Sequence, residues 1–159
     1  MATSHDVYQI KEATLDDMDV LVRHRLAMFA DMGRTFDAPL IAQMFRDWVR
    51  PMMIAGEYRA WLCETAAGEV AGGAALTLIK WPPGPSPLRS DRVAFVYNVY
   101  TEHAHRRRGV ARRLMERLHT WCADQGIGAI SLNASPEALH LYESMGYQIA
   151  ASPMMWKIT

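Results

Sequence analysis

The stretch that most constrains this chain runs from Val93 through Tyr100 and a polar turn into Arg106-Arg107-Arg108-Gly109-Val110-Ala111. Val93 to Tyr100 is rich in β-branched and aromatic residues and reads as a buried strand. It breaks after Thr101 and then opens an amphipathic helix through Gly109. The first backbone N–H groups of a helix lack intrahelical partners and lie at the positive end of its dipole, so such a junction attracts anions. Gly109 has no Cβ and leaves the main chain open to close approach. Three arginines at a helix N-terminus oppose the dipole by up to about 1 kcal/mol each. A bound polyanion reverses that penalty, so the segment reads as a phosphate cradle rather than a solvated basic helix start.

It is neither of the common phosphate loops. No Gly-x-x-x-x-Gly-Lys-Ser/Thr is present, and Arg106-x-x-Gly109-x-Ala111 lacks the glycine spacing of a dinucleotide fingerprint. The pattern resembles the acyl-CoA signature of the GNAT superfamily of N-acetyltransferases, Gln/Arg-x-x-Gly-x-Gly/Ala, and Asn98-Val99-Tyr100-Thr101-Glu102 resembles the strand end that leads into it. A second match follows. Ala129 to Ala134 reads as a strand, Ser135-Pro136-Glu137 as a helix start with Ser135 at the cap, and Leu141-Tyr142-Glu143 with Gly146-Tyr147 is similar to the family's second cofactor segment.

The remaining elements suit that family. Val7 to Lys11 is a first strand, and Thr14 caps a helix carrying Asp16 and Asp17 in its first turn. Gly33-Arg34-Thr35 breaks this helix, and Asp37-Ala38-Pro39 starts a second with Ile41, Met44, Phe45, Trp48 and Val49 on its apolar face. Ala60–Thr65 and Glu69–Ile79 form a hairpin around Ala66-Ala67-Gly68. Trp81-Pro82-Pro83-Gly84-Pro85-Ser86-Pro87 cannot continue a strand, because proline offers no ladder N–H. Helix 109–124 follows strand 93–100 and ends at Gly126-Ile127-Gly128. After strand 129–134 come helix 136–145, a strand around Tyr147-Gln148-Ile149, and a last strand from Met154 to Ile158. The expected fold is α/β: residues 1–159 as one domain with a mixed, mostly antiparallel sheet of about seven strands and about four helices on both faces. The resemblance implies that this sheet is splayed at its centre, where the pantetheine arm inserts.

Composition excludes several classes. With 17 Lys and Arg against 17 Asp and Glu, no net basicity draws the chain to nucleic acid or a membrane surface. No apolar run approaches the roughly eighteen residues a membrane helix needs. Residues 1–6 lack the pattern of a signal peptide, and Cys63 and Cys122 read as free, buried thiols. A cytoplasmic location is therefore expected. A nucleic-acid reading of His103 to Arg108 lacks a second basic, aromatic stripe. His103 and His105 resemble half a metal site but have no third ligand in pattern, so no metal is expected and both belong on the surface.

The resemblance implies a set of roles. Acetyl-CoA is the co-substrate, its pyrophosphate facing main-chain N–H groups of Arg107, Arg108, Gly109, Val110, Ala111 and Arg112, with Arg106, Arg108 or Arg113 pairing a phosphate oxygen. Main-chain groups of Val99 and Tyr100 meet the pantetheine amides as a strand partner does, and Asn98 and Asn133 lie close by. Asn133 has a local alternative, since a strand-end asparagine often satisfies its own backbone. An amine attacks the thioester directly, and Tyr142 is the general acid that protonates the departing thiolate; a core tyrosine between Leu141 and Met145 is the plainer reading. Strand 93–100 has no carboxylate to act as base, leaving Tyr97, Asn98 through a water, and Glu102 as nearby groups. Phe29, Met32 and Trp81 outline an apolar acceptor pocket, and no acidic cluster demands a polycationic acceptor. The acceptor is expected to be a small-molecule amine or a peptide, and the resemblance is compatible with a homodimer. The missing carboxylate also suits an alternative, a non-catalytic acyl-CoA-binding sensor.

Overall fold

The computed structural model describes residues 7–83, 91–150, 155, 157 and 158. The chain enters through β1 (Gln9–Glu12), and Thr14 then closes a reciprocal cap. Its hydroxyl accepts from the Asp16 N–H, while the Asp17 carboxylate accepts from the Thr14 N–H at 2.8 Å. One 3-10 turn leads from there into α1 (Met18–Asp31). Asp37 caps α2 (Ala38–Ile54) by accepting from the Leu40 N–H, with Pro39 placed where its missing N–H costs nothing. The hairpin of β2 (Tyr58–Glu64) and β3 (Val70–Lys80) turns at Gly68, whose φ of 83° suits glycine. Then come β4 (Arg92–Thr101), α3 (Val110–Asp124), β5 (Ile130–Leu132) and the short α4 (Leu139–Ser144).

The five strands lie in chain order across the sheet. Pairs from β1 to β4 are antiparallel, and β5 runs parallel to β4. β2 and β3 are central and covered on both faces, so β2 alternates between two cores. Trp61 and Cys63 join Leu76, Val96, Leu114 and Leu118 beneath α3. Tyr58, Ala60 and Leu62 join Leu21, Phe45 and Val49 beneath α1 and α2. The expected apolar face of α2 is only partly used: Phe45 and Val49 are buried, whereas Met44 and Trp48 are exposed.

Two adjacent glycines let helices press on β3 from opposite sides. A Cβ on Gly72 would lie 2.6 Å from the Tyr100 carbonyl oxygen and 2.9 Å from Val110 Cγ1, at the start of α3. A Cβ on Gly73 would lie 2.9 Å from Nδ1 of His24, on α1. Any side chain here would push α3 or α1 off the sheet next to the end of β4.

The expectation of about seven strands is corrected to five among the described residues. Residues 147–150 are not in a strand, although Tyr147 and Ile149 favour one by type. β-propensity is a preference for a pleated, half-buried surface. Gln148, Ile149 and Ala150 are exposed and pair with no neighbour, so nothing converts the preference into a ladder. The last expected strand, 154–158, falls partly outside the described residues, and Met155, Lys157 and Ile158 are not in a strand. Helix 136–145 is also shorter than expected. Residues Pro136–Ala138 form a 3-10 turn without a Ser135 side-chain cap, and only Leu139–Ser144 is α-helical.

Candidate active site

The site grows from the place where β4 and β5 part. The two strands pair only over Ala94–Val96 and Ile130–Leu132, whereas β4 continues to Thr101. Beyond Val96 the β5 side of β4 therefore has no strand partner among the described residues. The parting coincides with a bulge: Ala75 faces Tyr97 and Gly73 faces Tyr100, so Asn98 and Val99 together oppose Ala74. Asn98 adopts a φ of 53°, in the left-handed region that asparagine tolerates better than most residues.

The bulge turns the side chains of Tyr97 and Asn98 toward α1 and α2. The Thr77 hydroxyl donates to Tyr97 Oη at 3.2 Å. Asn98 is buried, its amide nitrogen donating to Tyr58 Oη at 3.0 Å and its oxygen accepting from Arg25 at 2.8 Å. The Arg25 guanidinium lies 4.9 Å from the Phe29 ring centre and 5.1 Å from that of Phe45. Burial pushes the Tyr58 phenol up to about 12 and lowers the pKa of Arg25 from its ordinary value. Val99 packs into the core beneath α3, and Tyr100 tilts against His24 with ring centres 5.1 Å apart.

Past β4 the chain makes the loop its sequence anticipates. Arg106 through Gly109 are exposed and Val110 is buried, so the loop faces outward while α3 is anchored at its first residue. Arg107 and Gly109 both have left-handed backbones, φ 62° and 77°. Left-handed residues within such a loop bring successive N–H groups into one concavity. A Cβ on Gly109 would meet nothing within 4 Å, so the space over the helix start is open.

The arginines differ in their commitments. Arg106 binds the Asp31 carboxylate and the Thr101 carbonyl and lies over the Tyr100 ring, which ties the loop to the end of α1. Its hydrogen bond to Asp31 holds that carboxyl below the usual range. Arg112 donates to Ser144 Oγ at 2.7 Å, joining the start of α3 to the end of α4. Ala111 is half-buried, and Arg107, Arg108 and Arg113 are exposed. His103 is exposed and pairs with Asp31. His105, expected on the surface, is buried, with Nδ1 2.9 Å from Tyr8 Oη.

Tyr142, on α4, is buried against the core beneath α3, its ring 5.6 Å from that of Tyr147. Its hydroxyl has no hydrogen-bond partner among the described residues, and burial raises its pKa. Asn133 is exposed immediately after β5 and makes no local backbone bond. Glu102 is held by Arg23 at 2.6 Å and by His24 at 3.1 Å. Phe29 packs edge-on to Phe36, whereas Met32 and Trp81 are more than half exposed. The sequence reading missed Arg25, Tyr58 and Trp48. Trp48 stands edge-on to Tyr58 at 5.8 Å and extends the aromatic wall.

Among the described residues no group of three or more His, Cys, Asp or Glu could hold a metal ion, and no helix is long and apolar enough to cross a membrane. Cys63 and Cys122 are unpaired, and burial raises each thiol to about 11. An open groove of about 500 Å³ lies elsewhere, between the end of α3 and Tyr147.

Comparison with known proteins agrees with this geometry. No match is found among curated proteins. A GCN5-related N-acetyltransferase from Ralstonia eutropha JMP134 is 34% identical, with 96% of this chain and 99% of that one covered and a TM-score of 0.84. A predicted acetyltransferase from Clostridium acetobutylicum, solved with acetyl-CoA, is 21% identical over 95% of this chain and 96% of its own, with a TM-score of 0.81. The aminoglycoside N-acetyltransferase AAC(6')-Iy, solved with CoA, shares the fold at 14% identity and a TM-score of 0.72, over 96% of this chain and 95% of its own. The model of the acetyltransferase (GNAT) family matches residues 25–147, most of the described chain and both segments of the site, and the protein belongs to that family.

Proposed function

We propose that this protein transfers an acetyl group from acetyl-CoA to an amine by direct attack, with Tyr142 as the general acid. The observation that carries the proposal is the outward-facing loop Arg107–Gly109, which opens α3 beside the point where β4 leaves β5. When bound, acetyl-CoA supplies an activated acetyl thioester with a thiolate leaving group.

The chain's residues divide the remaining work. The N–H groups from Arg107 through Ala111 and onto Arg112 hold the pyrophosphate, with Arg107, Arg108 or Arg113 adding charge. Arg106, already engaged with Asp31, acts as a brace for the loop. The unpaired side of β4, residues 97–101, offers backbone groups to the pantetheine arm, and Asn133 offers a free amide. Tyr142 donates its proton at Oη. A raised pKa keeps that phenol protonated near neutral pH, and the missing protein partner leaves the proton available. Glu102 is taken up by Arg23 and His24, which disfavours it as the base. An acceptor with a modest amine pKa reduces the need for one.

Thiol release from acetyl-CoA across a panel of amines tests the proposal, together with calorimetric binding of coenzyme A. Acceptor-dependent release supports it. Tight binding without turnover favours the sensor reading, and absence of coenzyme A binding overturns both.

A further inference from the structure

Arg25 is a cation with no counter-charge among the described residues. It projects from α1 into the acceptor side of β4, half-buried, and its one hydrogen bond goes to the neutral amide of Asn98. No carboxylate pairs with it among the described residues, and its remaining N–H donors meet no protein acceptor there. Neighbouring cations are committed elsewhere: Arg23 to Glu102 and Arg46 to Asp19. A guanidinium removed from water is costly unless an anion meets it. Here Phe29 and Phe45 flank it and Asn98 holds one nitrogen, so the fork is fixed in orientation while part of it stays open. Because Asn98 is the bulge residue itself, the open fork lies one side chain from the point where β4 separates from β5.

We infer that Arg25 binds the carboxylate of the acceptor, and that the acceptor is an α-amino acid or a compound with amine and carboxylate equally close. This rests on the acetyltransferase reading above. A single planar fork matches a single carboxylate in charge and shape. A phosphate dianion would call for a second cation or a backbone cradle, and around Arg25 the described residues show neither uncommitted. The short reach from Arg25 to the bulge requires the amine to lie only a few bonds from the carboxylate. Phe29, Phe45, Trp48 and Tyr58 around this point favour an apolar or aromatic side chain on the acceptor. A polycationic acceptor would bring its charges against Arg25.

The test measures thiol release with matched acceptors: phenylalanine, methionine and glycine, each against its carboxamide. The expected result is a preference for the free acid of about 10- to 100-fold in kcat/KM, the range of a charge-assisted hydrogen bond, expressed mainly in KM. Arg25→Gln should collapse the acid-to-amide ratio toward one, and Arg25→Lys should leave it intermediate, since a point charge remains without the fork. If the wild type uses amides as well as acids, or if Arg25→Gln lowers both by the same factor, Arg25 only braces Asn98 and the inference is overturned. Should coenzyme A bind while no acceptor turns over, calorimetry of the three amino acids against the coenzyme A-loaded protein decides. Binding that Arg25→Gln abolishes supports the inference, and no binding by the wild type overturns it. Failure of coenzyme A to bind overturns the acetyltransferase reading instead.

Discussion

The two sides of β4 are built on different principles. On the side of α3, the loop from Arg106 to Val110 makes its concavity from consecutive backbone, with Arg107 and Gly109 in left-handed conformations and Val110 as the buried anchor. On the side of α1 and α2, Arg25, Tyr58 and Asn98 meet across separations of 73 and 40 residues, joined by two hydrogen bonds through one amide. In the function proposed above, the first side recognises through main-chain N–H groups, which every sequence possesses and only geometry exposes. The second, in the same proposal, recognises through side chains, which vary freely while the fold persists.

Substitutions on the two sides should separate cleanly. The largest effect is expected at Tyr142. Replacing it with Phe removes only the hydroxyl that carries the proton, so kcat for acetyl transfer should fall about 100-fold or more while calorimetry shows coenzyme A affinity unchanged. A fall in affinity without a fall in kcat would make Tyr142 a packing residue of the cofactor side.

Next come the two contrasting glycines. Gly72→Ala forces a Cβ to within 2.6 Å of the Tyr100 carbonyl. It should cost about 1–3 kcal/mol in urea unfolding by overpacking. Gly109→Ala meets no atom within 4 Å. Its cost should be conformational, about 1–2 kcal/mol for an L-residue in the left-handed region, and it should weaken coenzyme A binding because the loop relaxes. If both weaken coenzyme A equally, the cradle depends on packing of the whole β4 end rather than on its own backbone.

Asn98→Ala probes the acceptor side. It strips partners from Tyr58 and Arg25 and should destabilise by about 1–3 kcal/mol. Asn98→Gly relieves the backbone at φ 53° but not the unpaired groups, so it should recover only part of that loss.

The smallest effect is a pH dependence at His24. Burial, chiefly, lowers its pKa below the ordinary 6.5 against the opposing pull of Glu102. Below about pH 6.5 the unfolded chain therefore takes up more protons than the folded one, and stability falls with acidification. Thermal midpoints should drop between pH 7 and pH 5, and His24→Gln should flatten that drop. An unchanged slope would assign it to other groups, His119 first, whose pKa burial also lowers.

Legibility divides along the same line. Thr14 and Asp37 act on N–H groups two or three residues away, so both helix starts were readable as local patterns. The loop at Gly109 was readable for the same reason. His105 was not: a histidine beside three arginines looks like surface, yet the fold places Tyr8 against its Nδ1 and Glu69 near its Nε2. The sixth strand failed because strand formation needs a neighbour, and propensity at Tyr147 and Ile149 supplies none.

The sequence by itself therefore determined the strand–loop–helix unit around Gly109, the second segment with Tyr142, and the order of most elements, because caps, turns and periodicity act within a few residues. Only the tertiary structure decided that β4 bulges at Asn98, that Gly72 and Gly73 admit α3 and α1 to its flank, and that Arg25 meets Asn98 with no counter-ion among the described residues. Each of these depends on what distant segments press against one another, and side-chain burial and unpaired charge come into being only when they do.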